Sequence, residues 1–382
     1  MRVLHIITGL NDGGAEATLY RLIIKSKSST FQHTVISLLD KGKYGSLLEE
    51  AGINVYYLNM SRSFFYLNFF TLYKIFGLVK KIKPDVVQTW MFHADFLGGI
   101  FARLAGIKNV IWGVHTSDLI KSKPKTRNIL ISKLNAFLSN FVPKKIIYCA
   151  QKSREVQESI GFSIQKGIVV NNGHDVSQFN CNNQSGYDLK NDLNISETFL
   201  IGNVARYDPQ KDHKTLLLAL KELKSKFHTK WHCILVGTNV DEGNSELTSL
   251  VHELGLTDNV YLIGPRNDIP AVMNAIDLFV LSSVDEAFPN VLNEAMACGT
   301  PCVTTDVGDS SIIVGNTGWV VPAQNPELLA ESIIYAIHEK NTNILAWKDR
   351  KIRARTRIVD NFSIKKMIAN YEHVWLEGIK NK

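Results

Sequence analysis

Cysteines, long apolar runs and export signals are scarce or absent in this sequence of 382 residues. Its five cysteines are odd in number and lack C-x-x-C spacing, which argues against a disulfide framework or a cysteine-based zinc site. The most apolar stretch, residues 64–79, contains Asn68 and Lys74, whereas a membrane-spanning helix needs about 20 apolar residues. Residues 1–8 show no signal-peptide pattern and are interpreted as a first β-strand. These absences predict a cytoplasmic protein without a transmembrane segment.

The glycine and metal motifs of several enzyme classes are also missing. The loop at residues 9–16 lacks the G-x-G-x-x-G spacing of a dinucleotide fold, and no Lys-Ser/Thr follows its glycines, which disfavours NAD binding and a P-loop. No two aspartates stand two residues apart, so there is no Asp-x-Asp clamp for a metal bridging a diphosphate. The eleven histidines show no zinc-binding spacing. We therefore expect catalysis with no metal and no cofactor.

Charge is unevenly distributed along the chain. The formal net charge is +7, but residues 1–175 carry +12 and residues 176–382 carry −5. This asymmetry suggests that the first half faces an anionic partner, either nucleic acid or a phospholipid surface. Scattered lysines that only keep the protein soluble are the alternative. No RNA- or DNA-binding motif is visible, so a nucleic-acid partner is not expected.

Strand-length apolar runs alternate with helical patterns in two successive series, which predicts βαβ units and parallel sheets. The first series comprises residues 3–8, 34–38, 55–58, 85–90, 110–115 and 145–149, and the second comprises residues 199–205, 232–236, 260–263, 277–281 and 301–305. The polar stretch 180–188 between them indicates a linker. The predicted fold class is therefore α/β, with two doubly wound, Rossmann-like domains at residues 1–178 and 190–362.

The last segment and the two sheets together suggest where function resides. Residues 363–382 carry apolar side chains at helical spacing, so we expect a final helix that packs back on the first domain. Doubly wound domains bind ligands at the carboxyl ends of their strands. If these ends face each other across a cleft, the functional residues should follow strands.

Two loops that follow predicted strands carry groups suited to a diphosphate. Gly13 and Gly14 allow backbone N–H groups to approach an anion at a helix N-terminus, although such a pair is also common in tight turns. Arg206 and Lys211 leave the end of one strand together, so the two cations can converge on one point. Ordinary surface charge is the alternative for this second pair.

A third loop, residues 286–294, is the most informative. Pro289 stands where a helix would begin, which places Glu286 in the loop and Glu294 in the early helix. The N–H groups of residues 288–291 can hold phosphate or sugar oxygens, and a carboxylate such as Glu294 can accept both hydroxyls of a ribose. Helix capping is the alternative for Glu294, but it does not account for Glu286.

With these motifs the chain resembles a retaining glycosyltransferase of family 4 with the two-domain GT-B fold. The similarity covers nearly the whole chain, through a Gly-Gly-Ala-Glu loop, an Asn-Gly-x-Asp segment, an Arg-x4-Lys pair and a Glu-x7-Glu motif at residues 13–16, 172–175, 206–211 and 286–294. Residues 283–308 are close to the pattern of bacterial capsule, O-antigen and lipopolysaccharide glycosyltransferases. The resemblance implies two parallel sheets facing a central cleft and transfer of a sugar from a nucleotide diphosphate sugar, with UDP preferred.

The resemblance also implies roles for individual residues. Arg206 and Lys211 would neutralise the leaving diphosphate, and Glu294 would hold the ribose. His115 and Glu286 would lie near the donor sugar, so Arg206, Lys211, His115 and Glu286 are the candidate catalytic residues. The other donor-binding residues would be Gly13, Gly14, Phe288, Pro289, Asn290, Val291 and Glu294. Pro289 replaces a common glycine of the family, and Asp309 begins a departure from a glycine–glutamate pattern, so the donor sugar stays undetermined.

The acceptor is expected to meet the basic first domain. Aromatic residues and lysines are mixed over residues 60–83, as in segments that lie at a membrane surface, and a second basic cluster follows at residues 121–127. The candidate acceptor or membrane residues are Arg62, Lys80, Lys81, Lys121 and Lys123. We expect a glycan or lipid-linked acceptor and peripheral contact with anionic lipid on the cytoplasmic face of the inner membrane; an aromatic helix flanked by solvated lysines is the alternative.

Two other functions are compatible with parts of the sequence. A GT-B sugar-nucleotide 2-epimerase would bind a nucleotide diphosphate between similar domains, but more acid and base residues would be expected in its first domain. A basic nucleic-acid-binding module would leave the motifs of the second domain unexplained. A metal-independent glycosyltransferase of bacterial surface polysaccharide biosynthesis is therefore the preferred hypothesis.

Overall fold

The chain forms two compact units in the computed structural model. Unit 1 comprises Met1–Gly173 and Ile364–Lys382, and unit 2 comprises His174–Ser363. The structure describes residues 1–26, 30–60, 69–115, 126–193, 195, 198–227 and 229–380.

Unit 1 is built from alternating strands and helices around one parallel sheet. Its elements up to the unit boundary are β1 (Arg2–Ile7), α1 (Gly14–Lys25), β2 (Gln32–Ser37), α2 (Gly42–Glu50), β3 (Asn54–Tyr57), α3 (Phe69–Ile82), β4 (Val86–Trp90), α4 (Phe92–Leu104), β5 (Val110–Val114), α5 (Thr126–Leu138), β6 (Lys145–Tyr148), α6 (Gln151–Ser159) and β7 (Gly167–Val169). The strand order is β3-β2-β1-β4-β5-β6-β7. The order reverses between β1 and β4, which is where ligands bind in such sheets.

Unit 2 repeats this architecture with six parallel strands. Its elements are α7 (Asn183–Asp192), β8 (Phe199–Val204), α8 (His213–Lys226), β9 (Trp231–Val236), α9 (Ser245–Glu253), β10 (Val260–Gly264), α10 (Ile269–Ala275), β11 (Leu278–Leu281), α11 (Asn290–Ala297), β12 (Cys302–Thr305), α12 (Ser310–Val314), β13 (Trp319–Val321), α13 (Pro326–Thr342) and α14 (Ile344–Asn361). The strand order is β10-β9-β8-β11-β12-β13, so the reversal lies between β8 and β11.

The chain then returns to unit 1 as α15 (Ile364–Lys380). Tyr371 and Trp375 of this helix are fully buried in an apolar cluster with residues of β1, β2 and β4. The indole of Trp375 donates to Gln88 Oε1 at 3.3 Å, and its carbonyl accepts from Asn109 Nδ2 at 3.3 Å. Large buried aromatic rings therefore hold the last helix on the first unit.

The predicted α/β class with two doubly wound parallel sheets is confirmed. The observed division after Gly173 differs from the predicted boundary at residue 178, because His174 already pairs with Ser363 of unit 2. The stretch interpreted as a linker instead begins helix α7, with Asn182 as its cap. The three-residue strands β7 and β13 were not predicted, since so short a run has no distinct period. Among the described helices, none is long and apolar enough to cross a membrane.

Candidate active site

The predicted donor-binding side chains of unit 2 follow two neighbouring strands. Strands β8 and β11 pair in parallel through Leu278 with Ile201 and Phe279 with Gly202. Their carboxyl ends therefore lie at the same edge of the sheet, at the point where the strand order reverses. The loop after β8 carries Arg206 and Lys211, and the loop after β11 carries Glu286.

Lys211 and Glu286 form an ion pair that joins these two loops. Their side chains are only 16% and 12% exposed, and the Ser283 hydroxyl donates to Glu286 Oε1 at 2.8 Å. The loops are also tied by the backbone, since Val284 N donates to Gln210 O and Ser282 Oγ donates to Lys211 O. A cation and a carboxylate distant in sequence are thus fixed side by side at this edge of the sheet.

Arg206 is more exposed and has a different partner. Its Nε donates to Asp208 Oδ2 at 3.2 Å. Burial opposes ionisation of Asp208, but the hydrogen bond from Gln210 N and the charge of Arg206 lower its pKa below the ordinary value. Asp208 therefore stays charged at neutral pH and binds the Arg206 guanidinium within the same loop.

Glu294 lies in the second turn of α11, at the same end of the sheet. The helix begins after Pro289 without a side-chain cap, and the N-terminus of a helix attracts anions. Buried His174 lies beside it, with Nδ1 4.0 Å from Glu294 Oε1 and Nε2 3.3 Å from Asn290 Oδ1. The motif at residues 172–175 includes His174, but sequence analysis assigned no role to this residue. The two residues are 120 positions apart, so their proximity becomes apparent only in the folded unit.

The loop before α11 has a constrained shape. Phe288 is buried and its ring lies 5.8 Å from that of Phe362, and this packing anchors the loop. Gly308 has φ of +55°, and a Cβ at this position would collide with the carbonyl oxygens of Glu286 and Ala287. Asp309 N donates to Ala287 O at 3.1 Å. Pro289 and Asp309, the two positions that differ from the family pattern, thus lie on the two segments that define the loop. Val291 lies in the first turn of α11.

In unit 1, the carboxylate of Glu16 packs against the glycine loop that follows β1. Gly13 is the N-cap of α1 and Gly14 is the first residue of that helix. A Cβ at Gly13 would collide with the carboxylate of Glu16, whose pKa is raised by burial. The side chain of Glu16 therefore lies over Gly13, one of the two glycines predicted to face a diphosphate.

His115 directly follows β5 and stacks on Trp90. The ring centroids are 4.8 Å apart with an angle of 20° between the planes. Burial lowers the pKa of His115 to about 4, so the ring is neutral at pH 7. Neither ring nitrogen has a hydrogen-bond partner among the described residues.

The predicted acceptor residues are only partly described. Lys80 and Lys81 are exposed at the end of α3, and Lys80 lies 5.7 Å from the ring of Phe76. Arg62, Lys121 and Lys123 lie outside the described residues. The described side chains contain no cluster of three histidine, cysteine, aspartate or glutamate residues that could hold a metal ion.

Comparison with known sequence families accounts for both halves of the chain. Residues 12–178 match the family described as Glycosyltransferase Family 4, and residues 188–354 match the family described as Glycosyl transferases group 1. Both halves of the chain therefore belong to glycosyltransferase families. The predicted family is thereby confirmed, and so is the GT-B fold.

Individual relatives are distant but extend over most of this glycosyltransferase. The UDP-Gal:alpha-D-GlcNAc-diphosphoundecaprenol alpha-1,3-galactosyltransferase of Escherichia coli is 26% identical over 82% of this chain and 80% of its own length. The capsular polysaccharide biosynthesis glycosyltransferase CapH of Staphylococcus aureus is 25% identical over 81% of this chain and 83% of its own. Anabaena HepE, solved in complex with UDP, is 22% identical, with a TM-score of 0.87 over 99% of this chain and all of the other.

Proposed function

We propose that this glycosyltransferase transfers a sugar from a UDP-sugar, with retention at the anomeric carbon and without a metal, to a lipid-linked or glycan acceptor in bacterial surface polysaccharide biosynthesis. The observation that carries the proposal is the buried pair of Lys211 and Glu286 beside the start of α11. It puts a cation, a carboxylate and a helix N-terminus at one edge of one sheet.

The charges of unit 2 suit the departure of a nucleoside diphosphate. Breaking the bond between the anomeric carbon and the diphosphate oxygen leaves negative charge on the diphosphate. Lys211, Arg206 and the amide groups at the start of α11 are preorganised to stabilise that charge, which is the most effective form of catalysis available to such a site. Glu294 accepts the ribose hydroxyls and Glu286 contacts the donor sugar in this proposal. The roles of Gly13, Gly14 and His115 stay predictions.

Retention needs no nucleophile from the enzyme in this scheme. The acceptor hydroxyl attacks the anomeric carbon on the face that the diphosphate leaves, so a new carbon–oxygen bond forms as the old one breaks. The proton of the hydroxyl goes to a β-phosphate oxygen of the departing UDP. Glu286 is held by Lys211 and Ser283, which suits a residue that orients a sugar rather than one that attacks it.

Relatives support the choice of substrates. HepE has been solved with UDP and with UDP-glucose. The Escherichia coli relative is named for UDP-galactose and an undecaprenol-diphosphate acceptor. A lipid-linked acceptor would bring this enzyme to the cytoplasmic face of the inner membrane, and the exposed Lys80 and Lys81 belong to the surface first predicted to meet it.

A transfer assay tests the proposal. UDP-glucose, UDP-galactose and UDP-N-acetylglucosamine are offered with a lipid-diphosphate acceptor in EDTA, and the product linkage is read by NMR. We expect an α-linked product that Glu286→Gln abolishes and that Glu253→Gln, an exposed carboxylate on α9, leaves unchanged. An inverted linkage or a requirement for added Mg²⁺ would overturn the proposal, as would epimerisation of the donor without an acceptor.

A further inference from the structure

A basic groove lies at the amino edge of the unit 1 sheet. It has a volume of about 870 Å³, and its walls include residues that immediately precede β4, β5 and β6. The strands are parallel, so this edge is opposite the one that carries Gly13 and His115. No role assigned above uses this groove.

Four cations line the groove: Arg103, Lys108, Lys144 and Lys166. None of them forms an ion pair with a carboxylate within the part of the chain that the structure describes. The groove contains one acidic side chain, Asp85, whose Oδ2 already accepts from a backbone N–H at 2.8 Å. The groove therefore has a net positive charge that no described group of the protein balances.

Three of these cations are held by hydrogen bonds to backbone carbonyls. Lys166 Nζ donates to three backbone carbonyls in the segment between α5 and β6, and its pKa is lowered by burial and by the nearby charge of Arg103. Arg103 uses Nη1 to bond Lys108 O at 3.1 Å, and Lys144 Nζ bonds Gly378 O at 2.9 Å. Arg103 and Lys144 keep further N–H donors for an anion, because a guanidinium has five and an ammonium three.

An acceptor in the wall also lacks a partner. Asn109 is 4% exposed and lines the groove, and its Oδ1 has no hydrogen bond among the described residues. A ligand that carries a hydroxyl beside its anionic group would satisfy both features. The headgroup of phosphatidylglycerol has this chemistry.

An exposed apolar row runs along α5 into the groove. Leu130, Leu134 and Phe137 recur at helical spacing and are 52%, 40% and 66% exposed. Phe141, which lines the groove, is 62% exposed, and its ring lies 5.5 Å from that of Phe137. Large apolar side chains exposed beside cations are typical of surfaces that lie in the headgroup region of a membrane.

We propose that the groove and the apolar row of α5 form one membrane-docking surface. The groove binds the phosphate of an anionic lipid headgroup, and Leu134, Phe137 and Phe141 enter the acyl boundary beside it. A soluble phosphate would leave the apolar row uncovered, whereas a lipid occupies both parts. This inference deepens the proposed function, because a lipid-linked acceptor requires the enzyme at a bilayer, and it assigns the contact to a surface other than the predicted lysines of α3.

Vesicle sedimentation tests the charged half of the surface. The full chain is incubated with phosphatidylglycerol–phosphatidylcholine vesicles at low salt, and Arg103→Glu/Lys108→Glu is compared with Lys365→Glu/Lys366→Glu, an exposed pair on α15 with the same change of charge. We expect partitioning to weaken about tenfold or more in the groove variant and to change little in the control. Equal weakening in both variants, or loss only in Lys80→Glu/Lys81→Glu, would overturn the proposal.

A second variant and its control test the apolar half of the docking surface. Phe137→Ser/Phe141→Ser should lose vesicle binding, and Tyr335→Ser, 64% exposed in unit 2, should not. If the Phe137/Phe141 variant binds vesicles normally while inorganic phosphate competes for the groove, the groove holds a soluble anion and the proposal is wrong. UDP binding is measured on every variant, so that failure of the proposed function can be told apart from failure of the docking surface. A wild-type chain that binds vesicles but no UDP would refute the proposed function and would still support the docking surface.

Discussion

Lys211 and Glu286 show how much of the site depends on single side chains. They stand 75 positions apart, and each was assigned to the donor site from a motif. Their ion pair was not predictable from the motifs alone, because it depends on the parallel pairing of β8 with β11. The same limit applies to His174, which approaches Glu294 only in the folded unit.

Replacement of Lys211 is expected to affect turnover. Lys211→Ala removes one preorganised cation from the diphosphate and breaks the ion pair that holds Glu286, so we expect kcat to fall on the order of 10²-fold. Lys214→Ala, at an exposed lysine in the first turn of α8, serves as the control and should turn over normally. Steady-state transfer rates measure both; a Lys211→Ala enzyme with the wild-type kcat would show that this cation does not act on the leaving group.

His213 contributes a pH dependence at the same scale. It is buried at the start of α8, and burial lowers its pKa to about 4; the nearby charge of Asp212 opposes this shift and that of Lys211 adds to it. Because the folded-state pKa lies below the unfolded value of about 6.5, the unfolded chain binds the proton first as pH falls. The burial of His213 therefore lowers the free energy of unfolding progressively as the pH falls from about 6.5 to 4, by about 3 kcal/mol at pH 4.

Urea unfolding at pH 7 and pH 5 measures this contribution. His213→Leu should lose less stability over that interval than the wild-type protein, and the exposed His252→Leu should behave as wild type. Identical pH dependence in all three proteins would mean that His213 is not kept neutral by its surroundings.

At the scale of elements, pattern was informative for strands and misleading for one helix. Runs of β-branched residues predicted eleven strands close to their observed bounds, since most of these strands are largely buried, as in β1, β4, β5, β8 and β11. Helix α7 was interpreted as linker because its sequence is polar. Asn182 caps it and its main packing partner is α10, a tertiary contact that composition does not reveal.

The loop after β11 owes its shape to Gly308. An alanine there would force apart the backbone of residues 286–287, so Gly308→Ala should weaken UDP binding as well as stability. Gly255→Ala is the matched control, because Gly255 also has positive φ, at +67°, but no atom lies within 4 Å of a Cβ. It should cost about 1 kcal/mol of backbone strain and leave binding intact.

Calorimetric UDP titration with thermal denaturation compares the two variants. If Gly308→Ala binds UDP as tightly as Gly255→Ala does, the approach of residue 308 to the loop has no bearing on the donor.

At the scale of the whole molecule, composition predicted two domains, and the motifs assigned most of the predicted donor-binding residues to the second. Charge is unevenly divided between the two parts, with +12 on residues 1–175 and −5 on the remainder. The excess positive charge of the first part includes the groove beside α5, which composition could indicate but not locate. Its cations come from α4, from the loops before β5 and β6, and from the turn before β7, and only folding brings them together.

Titration of the purified chain with UDP, GDP and ADP in EDTA tests the central proposal most directly. We predict tight UDP binding without metal, with Glu294→Ala abolishing it because the ribose hydroxyls lose their acceptor, and with Glu253→Ala leaving it unchanged. Folded wild-type protein that binds none of the three nucleotides, or a Glu294→Ala variant that binds UDP as the wild type does, would contradict a donor site at the start of α11.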